Sequence, residues 1–223
     1  MQVGFLLFPH VTQLDFTGPI QVLHRLPGAT THVIAQSREP LPTDCGFSIV
    51  PTCTFQEAPP LDLLCIPGGF GVSNTFSSHE TLDFVAQAAE QATWITSVCT
   101  GAFVLGVAGV LDGHNATTHW AYRHLLPLVG ATPVEERVVR DGKLLTGGGV
   151  TAGIDFAFAL VAEIAGESLA QEIQLALEYN PAPPPWQPAQ DNHTKRVQEQ
   201  YSSRINTFAG LVQQSYPRPK PSH

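Results

Sequence analysis

Three short segments constrain what this chain can become. Residues 3–8, 61–66 and 94–98 are strand-length, mainly apolar runs. A run without alternation suits a strand covered on both faces, as in a parallel sheet with helices on either side. Residues 31–35 read as a further strand. Residues 45–50 and 52–55 are short, alternating and flanked by proline, which predicts a small hairpin or edge strands. Residues 137–140 and 143–146 flank Asp141-Gly142, a strong hairpin signal. Segments of helical character separate these runs. They are 17–26 with Pro19 in the first turn, 80–91, 102–110, 119–129, 150–165 and 168–179. Strands and helices in this order predict an α/β sandwich with a mostly parallel sheet, whose sites lie at the carboxyl ends of the strands.

Cys99 falls where the third run turns into a helix, in SVCTGAFVLG. Ser97 and Gly101, two residues to either side, are small, as a nucleophile elbow requires. A helix start offers unpaired N–H groups and partial positive charge to a thiolate. The other reading of Cys99 is a buried structural cysteine. Asp15, Gly68-Gly69 and Gly147-Gly148-Gly149 also follow predicted strand ends, which places them near Cys99. Gly68, Gly69 and the amide of Thr100 are expected to offer N–H groups around the sulfur; a plain turn is the alternative for the glycines. Asp15, between Leu14 and Phe16, reads either as a desolvated acid or as the N-cap of the next helix. His119 reads as a base for Cys99, or as a cleft-wall histidine bonded to backbone. Phe70, Trp120 and Val150 are candidates for an apolar substrate pocket.

Composition narrows the function. The net charge of -8, with 13% charged residues, argues against a nucleic-acid partner. No run is long enough for a membrane span, and the N-terminus reads as a first strand rather than a signal peptide. The four cysteines show no CxxC spacing, so neither a metal site nor a disulfide framework is expected, and free thiols suit a reducing cytoplasm. Residues 1–180 are expected to form the α/β domain and 181–223 an appendage. That appendage is a Pro-rich connector over 180–188, a helix over 194–214 carrying Tyr201 and Phe208 at helical steps, and a disordered end over 217–223. Periodicity leaves three places for the helix: on its own domain, over the site, or in a dimer.

FLLFPHVTQLDFTGP, DLLCIPGGFGV, TSVCTGAFVLGVAGVLDG, ATTHWAY and ERVVRDGKLLTGGGVTAGIDF together resemble the ThiJ/PfpI superfamily, most closely its isocyanide hydratase branch. Parts of the set also occur in the sensor halves of AraC-type regulators. The resemblance implies a flavodoxin-like three-layer sandwich, usually a homodimer, without metal or organic cofactor. It places the nucleophile at Cys99 and its acidic partner at Asp15, where relatives more often carry Glu. Thr100 stands where the peptidase-like branch has His, so the usual Cys–His dyad is missing. The implied reaction is hydration of an isocyanide to an N-substituted formamide through a thioimidate on Cys99. Thr100 assists, and Gly68, Gly69, Phe70, His119, Trp120 and Val150 surround the substrate. The alternatives are a small-molecule sensor that does not turn over, a cysteine hydrolase using His119, and a redox-responsive or glyoxalase-like protein.

Overall fold

The computed structural model describes residues 1–182 and 191–216. Its elements begin with β1 (Gln2–Leu6), α1 (Gln13–Leu23), β2 (Thr30–Ala35), β3 (Leu41–Pro42), β4 (Ser48–Ile49) and β5 (Cys53–Thr54). They continue with β6 (Leu63–Ile66), α2 (Val72–Thr75), α3 (His79–Gln91), β7 (Trp94–Val98) and α4 (Ala102–Val107). The last are β8 (Asn115–Ala116), β9 (Thr132–Pro133), β10 (Val138–Asp141), β11 (Leu144–Gly147), α5 (Ala152–Ala165), α6 (Glu167–Ala176) and α7 (Asp191–Ser215).

The main sheet runs β10-β11-β7-β6-β1-β2-β5. Every neighbouring pair in it is parallel except β10–β11. The apolar runs supply its interior: all four residues of β6 are buried, as are the last four of β1 and of β7. α1, α5 and α6 pack together as one layer, and α3, α4 and α7 belong to the other. This is the α/β sandwich with a mostly parallel sheet expected from the order of elements, in the flavodoxin-like form that the resemblance implied. The chain goes from β1 outward to β2 and β5, then returns to β6 on the other side of β1. The carboxyl ends of β1 and β6 therefore flank the point where the winding reverses, the usual place for a site in such sheets.

Local details differ from the periodicity. β4 pairs with β3, while β5 leaves that hairpin and joins the main sheet as its parallel edge. The helix expected over 119–129 is a turn followed by a 3-10 helix, Arg123–Val129, that contains Pro127. α4 stops at Val107, and Gly109 just beyond it has φ 82°. α1 begins at Gln13, four residues before the expected start, so Pro19 stands inside the helix and its ring cannot donate to the Asp15 carbonyl. The Asp141-Gly142 hairpin forms as expected, with Gly142 at φ 62°.

α7 lies on its own domain. Phe208 is buried, with its ring 5.0 Å from Phe103, 5.1 Å from Tyr122 and 5.5 Å from Phe76; Val212 is buried too. Most of the Pro-rich connector and the whole of 217–223 fall outside the described residues. No helix among the described residues is long and apolar enough to cross a membrane.

Candidate active site

β6 and β7 end side by side, with Ile66 in register with Ser97. This brings the Pro67-Gly68-Gly69 turn against Cys99. Cys99 has φ 56°, a left-handed conformation that costs a residue with a Cβ about 1 kcal/mol or more. Two hydrogen bonds hold it there. Its N–H donates to the Gly148 carbonyl at 3.0 Å, and its own carbonyl accepts from Thr118 Oγ1 at 2.6 Å. A one-turn 3-10 helix, Cys99–Gly101, then leads into α4. A Cβ on Gly101 would stand 2.2 Å from the Ile66 carbonyl oxygen, so the close crossing under the elbow requires glycine. Strand, left-handed cysteine and helix make the elbow that the sequence predicted.

Asp15 is not a cap. Thr12 holds the N-cap position of α1, and Asp15 is the third helical residue. Its side chain turns inward and is fully buried, with Oδ2 accepting from the Gly68 N–H at 3.0 Å. Its Oδ1 has no hydrogen-bond partner among the described residues. The Cys99 thiol is the neighbouring polar group, and each raises or lowers the other's proton affinity. Burial pushes the Asp15 carboxyl up to about 7, against the opposing pull of the thiol and the Gly68 amide.

The sulfur of Cys99 faces the amides of Thr100 and Val150. Val150 takes φ 40°, rare for a β-branched residue, in the turn that presents its N–H. These amides favour a thiolate, but burial and the Asp15 charge outweigh them and hold the thiol well above its usual range. The sequence suggested a thiolate stabilised by a helix start. In the fold the resting thiol keeps its proton, and the adjacent carboxyl is the group poised near neutrality.

A cavity of about 60 Å³ opens at the sulfur, with Thr12, His119, Tyr122, Val150 and Tyr201 among its walls. It adjoins a cleft of about 480 Å³ that runs between the 69–73 turn and α7. Gly69, Phe70, Thr100 and Tyr122 border both spaces. Tyr201 of α7 lies over the smaller one, 5.7 Å from the His119 ring. The helix thus packs on its own domain and covers the site.

Residues 1–163 match the DJ-1/PfpI family. The chain belongs to the DJ-1/PfpI family. It is similar to the isonitrile hydratase of Pseudomonas putida, with 54% identity over 184 residues, which is 82% of this chain and 81% of that protein. The crystal structure of a ThiJ/PfpI family protein from Pseudomonas syringae superposes with a TM-score of 0.87 at 39% identity, covering 96% of this chain and 89% of that one. The transcriptional regulator GbdR of Pseudomonas aeruginosa is 26% identical over 77% of this chain, a stretch that makes up 48% of the regulator.

Within this DJ-1/PfpI site the expected residues divide. Cys99, Asp15, Thr100, Gly69, Phe70, His119 and Val150 meet at the cavity or beside it. Gly68 and Gly69 do not point their amides at the sulfur. The Gly68 N–H goes to Asp15, and the Gly69 N–H goes to Thr100 Oγ1 at 3.0 Å. The cradle expected from the glycines is made instead by Thr100 and Val150. Gly68 is needed for closeness, because a Cβ there would lie 2.6 Å from the Thr100 nitrogen and 2.8 Å from Asp15 Oδ2. The Thr100 hydroxyl is engaged with Gly69 and so fixes the turn. His119 Nδ1 accepts from the Ala121 N–H at 3.3 Å, and burial lowers the pKa of the ring. This is the backbone-bonded geometry of the cleft-wall reading, with burial favouring the neutral ring. Trp120 stands outside the cavity, half exposed, along a surface groove that includes Arg123 and Glu135 and meets the cavity at His119 and Val150. Tyr122, Tyr201 and Thr12 were missed. Tyr201 lay on the apolar stripe of the tail helix, but nothing in its spacing indicates what the stripe covers.

Proposed function

We propose that this chain is an isocyanide hydratase, adding water to R–N≡C to give the formamide R–NH–CHO. One observation carries the reading: Cys99 is set against a buried carboxyl whose pKa is pushed up to about 7, rather than against an imidazole. The substrate class follows the 54% identical isonitrile hydratase.

Hydration places a nucleophile and a proton on the same terminal carbon, so the site needs a thiolate and an acid side by side. Asp15 takes the thiol proton, and the sulfur attacks the carbon. Asp15 then returns that proton to the carbon, which leaves the thioimidate R–N=CH–S on Cys99. Water adds to the same carbon while Asp15 relays a proton from it to nitrogen. The carbon–sulfur bond then breaks, the hydroxyl proton returns through Asp15 to sulfur, and the formamide leaves. The Thr100 and Val150 amides stabilise sulfur whenever it carries charge. The DJ-1/PfpI domain works as a homodimer, which an apolar groove of about 380 Å³ between α1 and α5 supports. Four free thiols support a reducing cytoplasm as its location. The appendage of residues 181–223 supplies α7 as the cover of the site.

Mass detection of N-cyclohexylformamide from cyclohexyl isocyanide tests the reaction. Wild type should form it, and Cys99→Ala should fall to background while keeping its circular dichroism. Full activity in Cys99→Ala would overturn the covalent scheme.

A further inference from the structure

We propose that the isocyanide this chain takes carries a carboxylate on its substituent, bound by Arg204 at the far side of the cleft. This rests on the hydratase reading above and names the substrate within it. The cleft walls include Phe70, Tyr122, Phe208 and Leu211, and among the described residues Arg204 is the one charged side chain along them. Among the described residues, no aspartate or glutamate borders the cleft to neutralise it.

Among the described residues four arginines are paired, Arg38 with Glu57, Arg123 with Glu135, Arg137 with Asp155 and Arg140 with Glu163, while Arg25 and Arg196, like Arg204, are not; of these three only Arg204 borders the cleft. Arg204 has no carboxylate partner among the described residues. Its guanidinium lies 4.5 Å from the centroid of the Phe70 ring. A cation–π contact to Phe70 holds the guanidinium at the cleft without using up its N–H donors, which can bind a carboxylate with two bonds.

The placement along α7 gives the order of contacts. Tyr201, on the wall of the Cys99 cavity, precedes Arg204 by three residues, and Phe208 follows it by four, so all three share one helix face. An isocyano carbon at Cys99 would send its substituent past Phe70 and Tyr122 toward Arg204. A plain alkyl or aryl isocyanide has no anionic group for this guanidinium. In a chain of net charge -8, an unpaired cation facing an apolar cleft marks the place where an anionic substituent is favoured.

The test compares 4-isocyanobenzoate with 4-isocyanobenzamide, which has nearly the same shape without the charge. In wild type, kcat/KM should favour the carboxylate by about fivefold, mostly through KM, as expected for a partly exposed ion pair. The preference should shrink as salt is raised. In Arg204→Gln the ratio of the two substrates should collapse to about one, and Arg204→Lys should restore part of it. Equal turnover of both substrates in wild type, or the same ratio in wild type and Arg204→Gln, would overturn the assignment while leaving the hydratase reading intact. Failure to hydrate these two and cyclohexyl isocyanide alike would overturn the hydratase reading, and this proposal with it.

Discussion

Asp15 ties the proposed chemistry to a cost in stability, because its carboxyl is fully buried. Its carboxyl holds a proton more tightly when folded, at about 7, than at its ordinary value of 3.8. The native state therefore binds more protons than the unfolded chain between those two values, and stability falls as pH rises through that window. Below about pH 4 the group is neutral in both states and nothing is lost. Above about pH 7 the full loss applies, about 4 kcal/mol at most. Asp15→Asn removes the ionisation. In urea unfolding at pH 4.5 and pH 8, the stability of the variant relative to wild type should rise toward pH 8; a difference independent of pH would contradict the assignment. In the mechanism proposed above, the same residue sets the acid limb of catalysis. The working state has Asp15 ionised and Cys99 protonated, so kcat/KM should fall below about pH 7, approaching tenfold per pH unit. Asp15→Asn should lose most turnover, whereas a mere cap would tolerate that change, since Asn caps comparably.

At the scale of elements, two pieces hold the site: the turn after β7 and the helix α7. The turn survives its left-handed cysteine because Gly148 and Thr118 fix both sides of the peptide and Gly101 lets the β6 end pass beneath. α7 is held by Phe208 among the rings of Phe76, Phe103 and Tyr122. Phe208→Ala should cost about 3 kcal/mol or more, as loss of a buried phenylalanine ring usually does. Because Tyr201 of the same helix covers Cys99, loosening α7 should also speed alkylation of that thiol. Denaturant titration and timed iodoacetamide labelling check the two effects. A destabilised variant with unchanged labelling would show that α7 is anchored independently of this ring.

At the scale of the whole molecule, the site exists because the sheet reverses its winding beside β1. Asp15 from α1, the turn after β6 and the elbow after β7 come from three distant parts of the chain and meet at the carboxyl ends of the sheet's central strands. The opposite helix layer leaves the groove between α1 and α5 partly open, with Leu14, Ile154 and Leu177 along it. For the homodimer proposed above, sedimentation should give a mass near twice 24.0 kDa. Ile154→Asp should shift the population toward monomer. A wild-type monomer at micromolar concentration would overturn the dimer.

The apolar runs and the glycine turns determined the parallel sheet and the elbow, because strand period and sterically required glycines are local properties written residue by residue. The Asp141-Gly142 hairpin and the helical stripe of the tail were legible for the same reason. What local pattern could not supply was direction. Asp15 next to a helix start reads first as a cap and only second as a buried acid, and only the position of Gly68 and Cys99 across the fold turned it inward. Gly68 and Gly69 looked like donors to sulfur, but their amides were taken by Asp15 and Thr100 once the strands lay side by side. His119 read as a base or as a cleft wall, and the Ala121 N–H on its Nδ1 is a contact that only the folded turn shows. The thiol's proton affinity, the cover made by Tyr201 and the unpaired charge of Arg204 all depend on burial and on neighbours remote in sequence. Those are set by tertiary packing, since desolvation and charge pairing act through space rather than along the chain.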